Sequence, residues 1–230
     1  HTDDLRRELI ANVSHDLRSP IASIRGYIET VIMKEESLST EERHKYLNMI
    51  LSSSVMLSQL IEELFELSKL DARQITVKPE AFSMAELIQD VVLIYPPITV
   101  KAGLSLGVTE PAHPYIVYAD IGLIERALSN LLENALKYTP EKGTVKVILN
   151  ESDNSIITTV SDNGTGISPK DLPHVFERYY RGQHHQKRDP EGTGLGLAIA
   201  KKILELHESD IQVESQLNLG TRFYFELQKN

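Results

Sequence analysis

Two long stretches of helical periodicity limit what this chain can become. From about residue 3 to 34, Ile10, Val13, Leu17, Ile21, Ile24, Ile28 and Val31 fall in one narrow apolar stripe when the chain turns about 100° per residue. From about residue 40 to 72 a second series (Leu47, Ile50, Met56, Leu57, Leu60, Ile61, Leu64, Phe65, Leu67, Leu70) makes a band too wide for one partner helix to cover. Two antiparallel helices with surplus apolar surface bury it by pairing with a second copy. The expectation is therefore an all-α antiparallel helical hairpin forming a dimeric four-helix bundle. The alternative is a hairpin packed on the rest of its own chain. Lys34 to Thr40 is a polar connector, and Thr40, followed by Glu41 and Glu42, is expected to cap the second helix. Pro20 sits inside the first helix, where its ring and missing N–H predict a kink.

On that first helix His15 points roughly opposite to the apolar stripe, beside Asp16 and one turn before Ser19. It is a histidine offered to water. Taken alone, it reads as an ordinary solvated side chain.

Near Asp71-Ala72-Arg73-Gln74 the pattern changes. Ile75-Thr76-Val77 alternates as a short strand, and Pro79 forbids a continuing helix. Ser83 caps a helix from about Met84 to Tyr95, which Pro96-Pro97 disturbs. Strands are expected over 104–108, 115–118, 143–149, 156–160, 211–214 and 221–227, with helices over 122–138 and 195–207. Neighbouring strands with helices between them predict an α+β sandwich, a mixed sheet with helices on one side. The division is then 1–72 helical, 73–80 linker and 81–230 α+β.

Composition removes several classes of function. A net charge of -9 leaves no excess of Lys and Arg to neutralise phosphates, which argues against nucleic-acid binding. With 0 cysteines, disulfides and thiolate metal sites are excluded. No apolar run reaches the roughly 18 residues needed to span a bilayer, and no signal peptide is visible. The chain opens in a charged helical pattern, Asp3-Asp4-Leu5-Arg6-Arg7-Glu8. The expectation is a piece of a longer protein, with any membrane contact made through segments absent from this sequence.

Three stretches of the α+β part carry polar chemistry. On the helix Leu128–Tyr138, Asn130 and Asn134 are i,i+4 and Lys137 follows three later, so amide oxygens and an ammonium can converge. Amide oxygens suit Mg²⁺, and a lysine suits phosphate. After a strand comes Asp162-Asn163-Gly164-Thr165-Gly166, whose carboxylate can accept from an exocyclic amine and whose glycines let backbone approach a ring. Gly192-Thr193-Gly194-Leu195-Gly196-Leu197 opens a helix and offers its N-terminus to phosphates. It is neither a Walker A loop nor the dinucleotide fingerprint, because no Lys-Ser or Lys-Thr follows and no strand precedes it. Each stretch alone also reads as a solvated helix face, a turn or a plain glycine cluster; the order of all three around one sheet is specific.

Taken together, the chain resembles the kinase core of a sensor histidine kinase of two-component signalling. It is similar to a dimerisation and histidine-phosphotransfer domain followed by an ATP-binding domain of the gyrase, Hsp90, histidine kinase and MutL type. His15-Asp16-Leu17-Arg18-Ser19-Pro20 matches the phosphoacceptor box, Asn130–Tyr138 the N box, and Asp162–Gly166 the first glycine box. Phe176–Arg181 resembles the F box, Gly192–Leu197 matches the second glycine box, and Gly220-Thr221 a third. The resemblance implies ATP and Mg²⁺ as cofactors, a homodimer, and a response regulator receiver domain as partner. It implies a cytoplasmic location, as part of a membrane-anchored sensor.

It also implies roles. His15 would be the phosphoacceptor, with Asp16 taking its proton and Ser19 placing a water when the regulator is dephosphorylated. Asn134 would hold Mg²⁺, with Asn130, Lys137 and Tyr138 at the phosphates and Asp162 on adenine. Gly164, Gly166, Gly192, Gly194, Leu195, Gly196 and Thr221 would complete the ATP site. Arg178 and Arg181 would lie at the nucleotide's edge, and Gly182 to Glu191, with His184 and His185, would be a mobile lid. ATP-hydrolysing relatives of this superfamily carry a glutamate where this chain has Asn130, an amide that cannot take a proton. Transfer to a protein nucleophile is thereby favoured over hydrolysis. A dimeric scaffold that only binds ATP, and an ATPase of the chaperone or topoisomerase type, are the competing readings.

The departures from the family pattern are local. Asp16 replaces the usual Glu, and Ser19 stands for Thr or Asn. Pro96-Pro97 interrupts a helix that is ordinarily longer. His207-Glu208-Ser209-Asp210 stands where a His-Gly-Gly turn is usual, which demands a different turn or a positive φ at a non-glycine residue.

Overall fold

A computed structural model of the chain describes the backbone over residues 2–72, 74–109, 113–182 and 192–229, and the side chains of those residues from 17 onward. Contacts divide the described residues into two compact bodies, one of 2–66 with 192 and 193, the other of 67–182 with 194–229.

The first body is a helical hairpin. α1 (Thr2–Met33) and the body of α2 (Thr40–Asp71) each belong to helices of 32 residues, and α1 continues through Pro20. Pro20 has no N–H to give the Asp16 carbonyl, so the helical ladder loses one bond near His15. Glu42 decides where α2 starts. Its N–H donates to Ser39 Oγ at 3.1 Å, and its Oε2 accepts the Ser39 N–H at 3.0 Å. This reciprocal capping box places the cap at Ser39 rather than Thr40, because only then does an acid stand at the third helical position. The Ser39 N–H holds the Glu42 carboxyl below its usual range. Tyr27 and Tyr46 lie with ring centroids 6.0 Å apart across the hairpin. The surplus apolar surface is present: Ile21, Ile28, Leu47, Leu51, Val55 and Ile61 stay exposed in the single chain.

The second body is built on a five-stranded sheet of β2 (Ser105–Val108), β4 (Thr144–Glu151), β5 (Ser155–Asp162), β6 (Ile211–Gln216) and β7 (Gly220–Gln228), in the order β2-β4-β5-β7-β6. β2 runs parallel to β4, and the other neighbours are antiparallel. β1 (Glu80–Ser83) and β3 (Ile116–Ala119) form a separate antiparallel pair. The helices are α3 (Met84–Val92), α4 (Pro96–Ala102), α5 (Ile121–Tyr138) and α6 (Gly196–Leu206), with a 3-10 turn at Leu172–His174. Along β7, Phe223, Phe225 and Leu227 are buried while Arg222 and Glu226 are exposed, so only one face of the sheet is covered. Leu128 and Leu131 of α5 and Ile199 and Ile203 of α6 supply that cover. This is the expected α+β sandwich.

Two local expectations are revised, and an open alternative is decided. Residues 75–77 form no strand; the Lys78 N–H goes to Asp120 Oδ2 at 2.8 Å, and pairing starts only past Pro79. Pro96-Pro97 does more than disturb a helix: it opens α4, where a missing N–H at the first turn removes no helical bond. Between the two helices Tyr95 is buried, and that burial raises its phenol pKa. The open alternative is the turn after α6, where the positive φ at a non-glycine residue is the outcome. His207 caps the helix and Glu208 takes φ +55°, with the Ser209 N–H on the Leu204 carbonyl at 3.0 Å and the Glu208 N–H on the Glu205 carbonyl at 3.2 Å. These two bonds are a Schellman motif with glutamate in the left-handed position.

Candidate nucleotide-binding site

One end of the second body gathers the C-terminus of β5, the middle of α5, the start of α6 and the start of β7. Asp162, the last residue of β5, is fixed by two backbone donors on one oxygen. Its Oδ1 accepts the Gly164 N–H at 2.8 Å and the Thr221 N–H at 3.2 Å. Oδ2 is left as an acceptor. Burial pushes the carboxyl pKa up, against the lowering effect of those two bonds. Thr221 is buried, and its hydroxyl meets Ser215 Oγ at 3.0 Å.

The glycines act on the protein's own backbone more than on a ring. A Cβ at Gly164 would overlap the Tyr138 carbonyl, one at Gly166 (φ +64°) the Gln216 carbonyl, and one at Gly220 (φ +110°) the Asp162 carbonyl. They let the β5 loop, the end of α5 and the β6–β7 turn close around Asp162. Asn163, which the motif reading left without a role, accepts the Thr144 N–H at 2.7 Å and pins the same loop to β4.

On α5, Asn130 is only 4% exposed, Asn134 and Tyr138 are half-buried, and Lys137 is exposed. Asn130 Nδ2 is buried and has no hydrogen-bond partner among the described residues. The start of α6 lies against it, since a Cβ on Gly196 would come 3.4 Å from Asn130 Oδ1. α3 and α5 are capped by the side chains of Ser83 and Asp120, whereas the N-cap of α6 is Leu195, which is apolar and fully buried. The first N–H groups of α6 therefore have no capping side chain. Gly194 (φ +70°) precedes it, with its carbonyl on the Tyr179 N–H at 3.0 Å. Tyr179 itself holds φ +61°, a backbone role no motif had signalled.

Other candidates stand elsewhere or outside the description. Arg178 Nη2 is 2.6 Å from Asp71 Oδ2, an ion pair that spacing could not have shown. Arg181 is half-buried. Gly192 groups with the helical body. Ser19 is exposed on α1. His15 and Asp16 are helical in backbone, and their side chains lie outside the described residues, as do His184 and His185.

An orphaned buried amide, a helix N-terminus without a capping side chain and a carboxylate with one oxygen spare are groups that can meet the amine and phosphates of a purine nucleoside triphosphate, and the class is an α+β domain with such a site, joined to a helical hairpin. Residues 119–230 match the family described as histidine kinase-, DNA gyrase B-, and HSP90-like ATPase, and residues 5–73 match the His Kinase A (phospho-acceptor) domain. The chain is 33% identical over 229 residues to the sensor protein SrrB of Staphylococcus aureus, covering 99% of this chain and 39% of that protein. It thus spans about two-fifths of the length of the curated relatives it matches. Among solved structures it is similar to the Acinetobacter baumannii histidine kinase AdeS, with TM-score 0.72 and 26% identity over 94% of this chain and 98% of that one. It is also similar to histidine kinase ThkA in complex with the response regulator protein TrrA, with TM-score 0.79 and 26% identity over 97% of this chain and 61% of that one. The chain belongs to the sensor histidine kinases of two-component systems. Among the described residues, no helix is long and apolar enough to cross a membrane.

Proposed function

We propose that this chain is an ATP-dependent protein-histidine kinase core that phosphorylates itself on His15 and passes the phosphoryl group to an aspartate of a response regulator receiver domain. The observation that carries this reading is Asn130. It is a buried amide with an unpaired Nδ2 beside the start of α6, at the position where the resemblance puts the water-activating glutamate of ATP-hydrolysing relatives. Asp162 Oδ2 would accept the adenine amine, and the N–H groups of α6 with Lys137 would meet the phosphates. The Asn134 amide oxygen would hold Mg²⁺, a charge that neutralises phosphate oxygens when bound.

The acceptor follows from the same site. An imidazole with pKa about 6.5 is largely neutral near pH 7. A His15 ring nitrogen attacks the γ-phosphorus, a P–N bond forms, the bond to the ADP oxygen breaks, and the proton on the other ring nitrogen passes to Asp16. The receiver carboxylate then attacks phosphorus and releases the imidazole. Ser19, exposed one turn along the helix from His15, would orient a water for the reverse task of dephosphorylating the regulator. A second copy of the hairpin would cover Ile21, Ile28, Leu47 and Leu51, giving the homodimer. In this reading the chain is the cytoplasmic portion, where ATP is available, of a membrane-anchored sensor, in keeping with its covering 39% of the sensor protein it matches.

Incubation with γ-labelled ATP and Mg²⁺ tests this. The expected product is an acid-labile, base-stable label on the protein that His15→Gln abolishes and that a cognate receiver domain removes. Label that survives His15→Gln overturns the assignment, and rapid steady-state release of phosphate favours an ATPase.

A further inference from the structure

His207 joins the two helices that frame the proposed nucleotide site, at the end remote from it. Its Nδ1 is 2.8 Å from the Ile203 carbonyl oxygen, one turn back on α6, and its Nε2 is 3.1 Å from the backbone N of Asp120. A carbonyl only accepts and an amide N–H only donates. The ring must therefore be neutral, with its proton on Nδ1 and its Nε2 lone pair facing Asp120.

Asp120 is the N-cap of α5 and has no polar atom to spare. Its Oδ1 accepts the Leu123 N–H at 3.2 Å, its Oδ2 the Lys78 N–H at 2.8 Å and its carbonyl the Ile124 N–H at 3.0 Å. Its own N–H goes to His207. From Asp120 to Asn130, and from His207 back to Gly196, the helices run about 15 and about 16.5 Å at 1.5 Å per residue. Within this packed antiparallel pair, the middle of α5 meets the start of α6 at Asn130 and Gly196, and the start of α5 is tied to the end of α6 by the His207 ring on the Asp120 N–H.

We infer that His207 is a positioning residue for the kinase reaction. By holding the start of α5 to the end of α6, it sets how Asn130 and Asn134 face the N–H groups at the start of α6. Nucleotide affinity depends on that setting. The inference rests on the nucleotide site proposed above and adds a residue remote from the bound groups.

The test uses the two amide replacements of histidine. Asparagine reaches only to the Nδ1 position, so His207→Asn can keep the bond to Ile203 and lose the one to Asp120. Glutamine reaches to the Nε2 position, so His207→Gln can keep the bond to Asp120. With a fluorescent ATP analogue, well below the melting temperature of each variant, His207→Asn is expected to weaken binding about tenfold and His207→Gln less than threefold. Autophosphorylation by His207→Asn should show a raised KM for ATP, with kcat at saturation within about threefold of wild type. A merely structural residue would lower the melting temperature of both variants and leave the dissociation constants equal, which overturns the inference. Should His207→Asn fail to fold, the wild-type chain provides the measurement. Coupling is reciprocal, so the bound analogue must slow hydrogen exchange at the Asp120 amide. Unchanged exchange overturns the inference. A wild-type chain that does not bind the analogue overturns the nucleotide reading itself, and this inference with it.

Discussion

Glu208 shows what a single residue can store. Its left-handed backbone, φ +55°, costs a side chain about 1–2 kcal/mol, and glycine there would recover it at an unfolded-chain entropy cost of about 0.4–1 kcal/mol. Glu208→Gly is therefore expected to stabilise the protein by about 0.5–1 kcal/mol, read as a raised urea midpoint with unchanged slope. Asp162 makes the opposite case, since its burden is electrostatic. Burial raises its folded pKa above the unfolded value, so the folded state holds its proton more tightly. The associated stability is present below about pH 4 and is lost as pH rises through the folded pKa. Asp162→Asn, whose amide oxygen can still accept from Gly164 and Thr221, should be more stable than wild type at pH 7. Parallel urea titrations should show that gap closing near pH 4. The same variant should lose ATP-analogue binding, because an amide NH2, which only donates, then stands where an acceptor is needed.

At the scale of elements, the long helices and most strands were legible from periodicity alone, since stripes and alternation report directly which face is buried. What escaped was whatever depends on a partner distant in sequence. Ile75–Val77 alternates like a strand but has no neighbour to pair with, because Lys78 is drawn to Asp120. Thr40 looked like a cap, yet the reciprocal bonds between Ser39 and Glu42 decide the start of α2. Ser39→Ala should cost about 1 kcal/mol and lower the melting of the helical body, followed by circular dichroism. The candidate site divides the same way. The boxes on α5 and after β5 were readable as motifs, whereas the role of Gly220 as a seat for the Asp162 carbonyl and the pairing of Arg178 with Asp71 arise only from the fold. That pair is about a third exposed on each side, so Asp71→Asn should cost no more than about 1 kcal/mol, and less at high salt.

The whole molecule is two bodies with different debts to a ligand. If the nucleotide site belongs to the second alone, an ATP analogue at a hundred times its dissociation constant should stabilise that body by about 2.7 kcal/mol and leave the helical hairpin unchanged. Scanning calorimetry would resolve this as one transition that moves and one that does not; two transitions moving equally would contradict it. The sheet order also has a consequence in time. Asp162 and the Thr221 amide that steadies it are 59 residues apart, and β7 lies between β5 and β6 although it is the latest strand in sequence. A chain leaving the ribosome can form the hairpin, α5, β4 and β5 well before it can complete the site. Until residues 220–228 have emerged and inserted beside β5, the nascent kinase is expected to be blind to ATP.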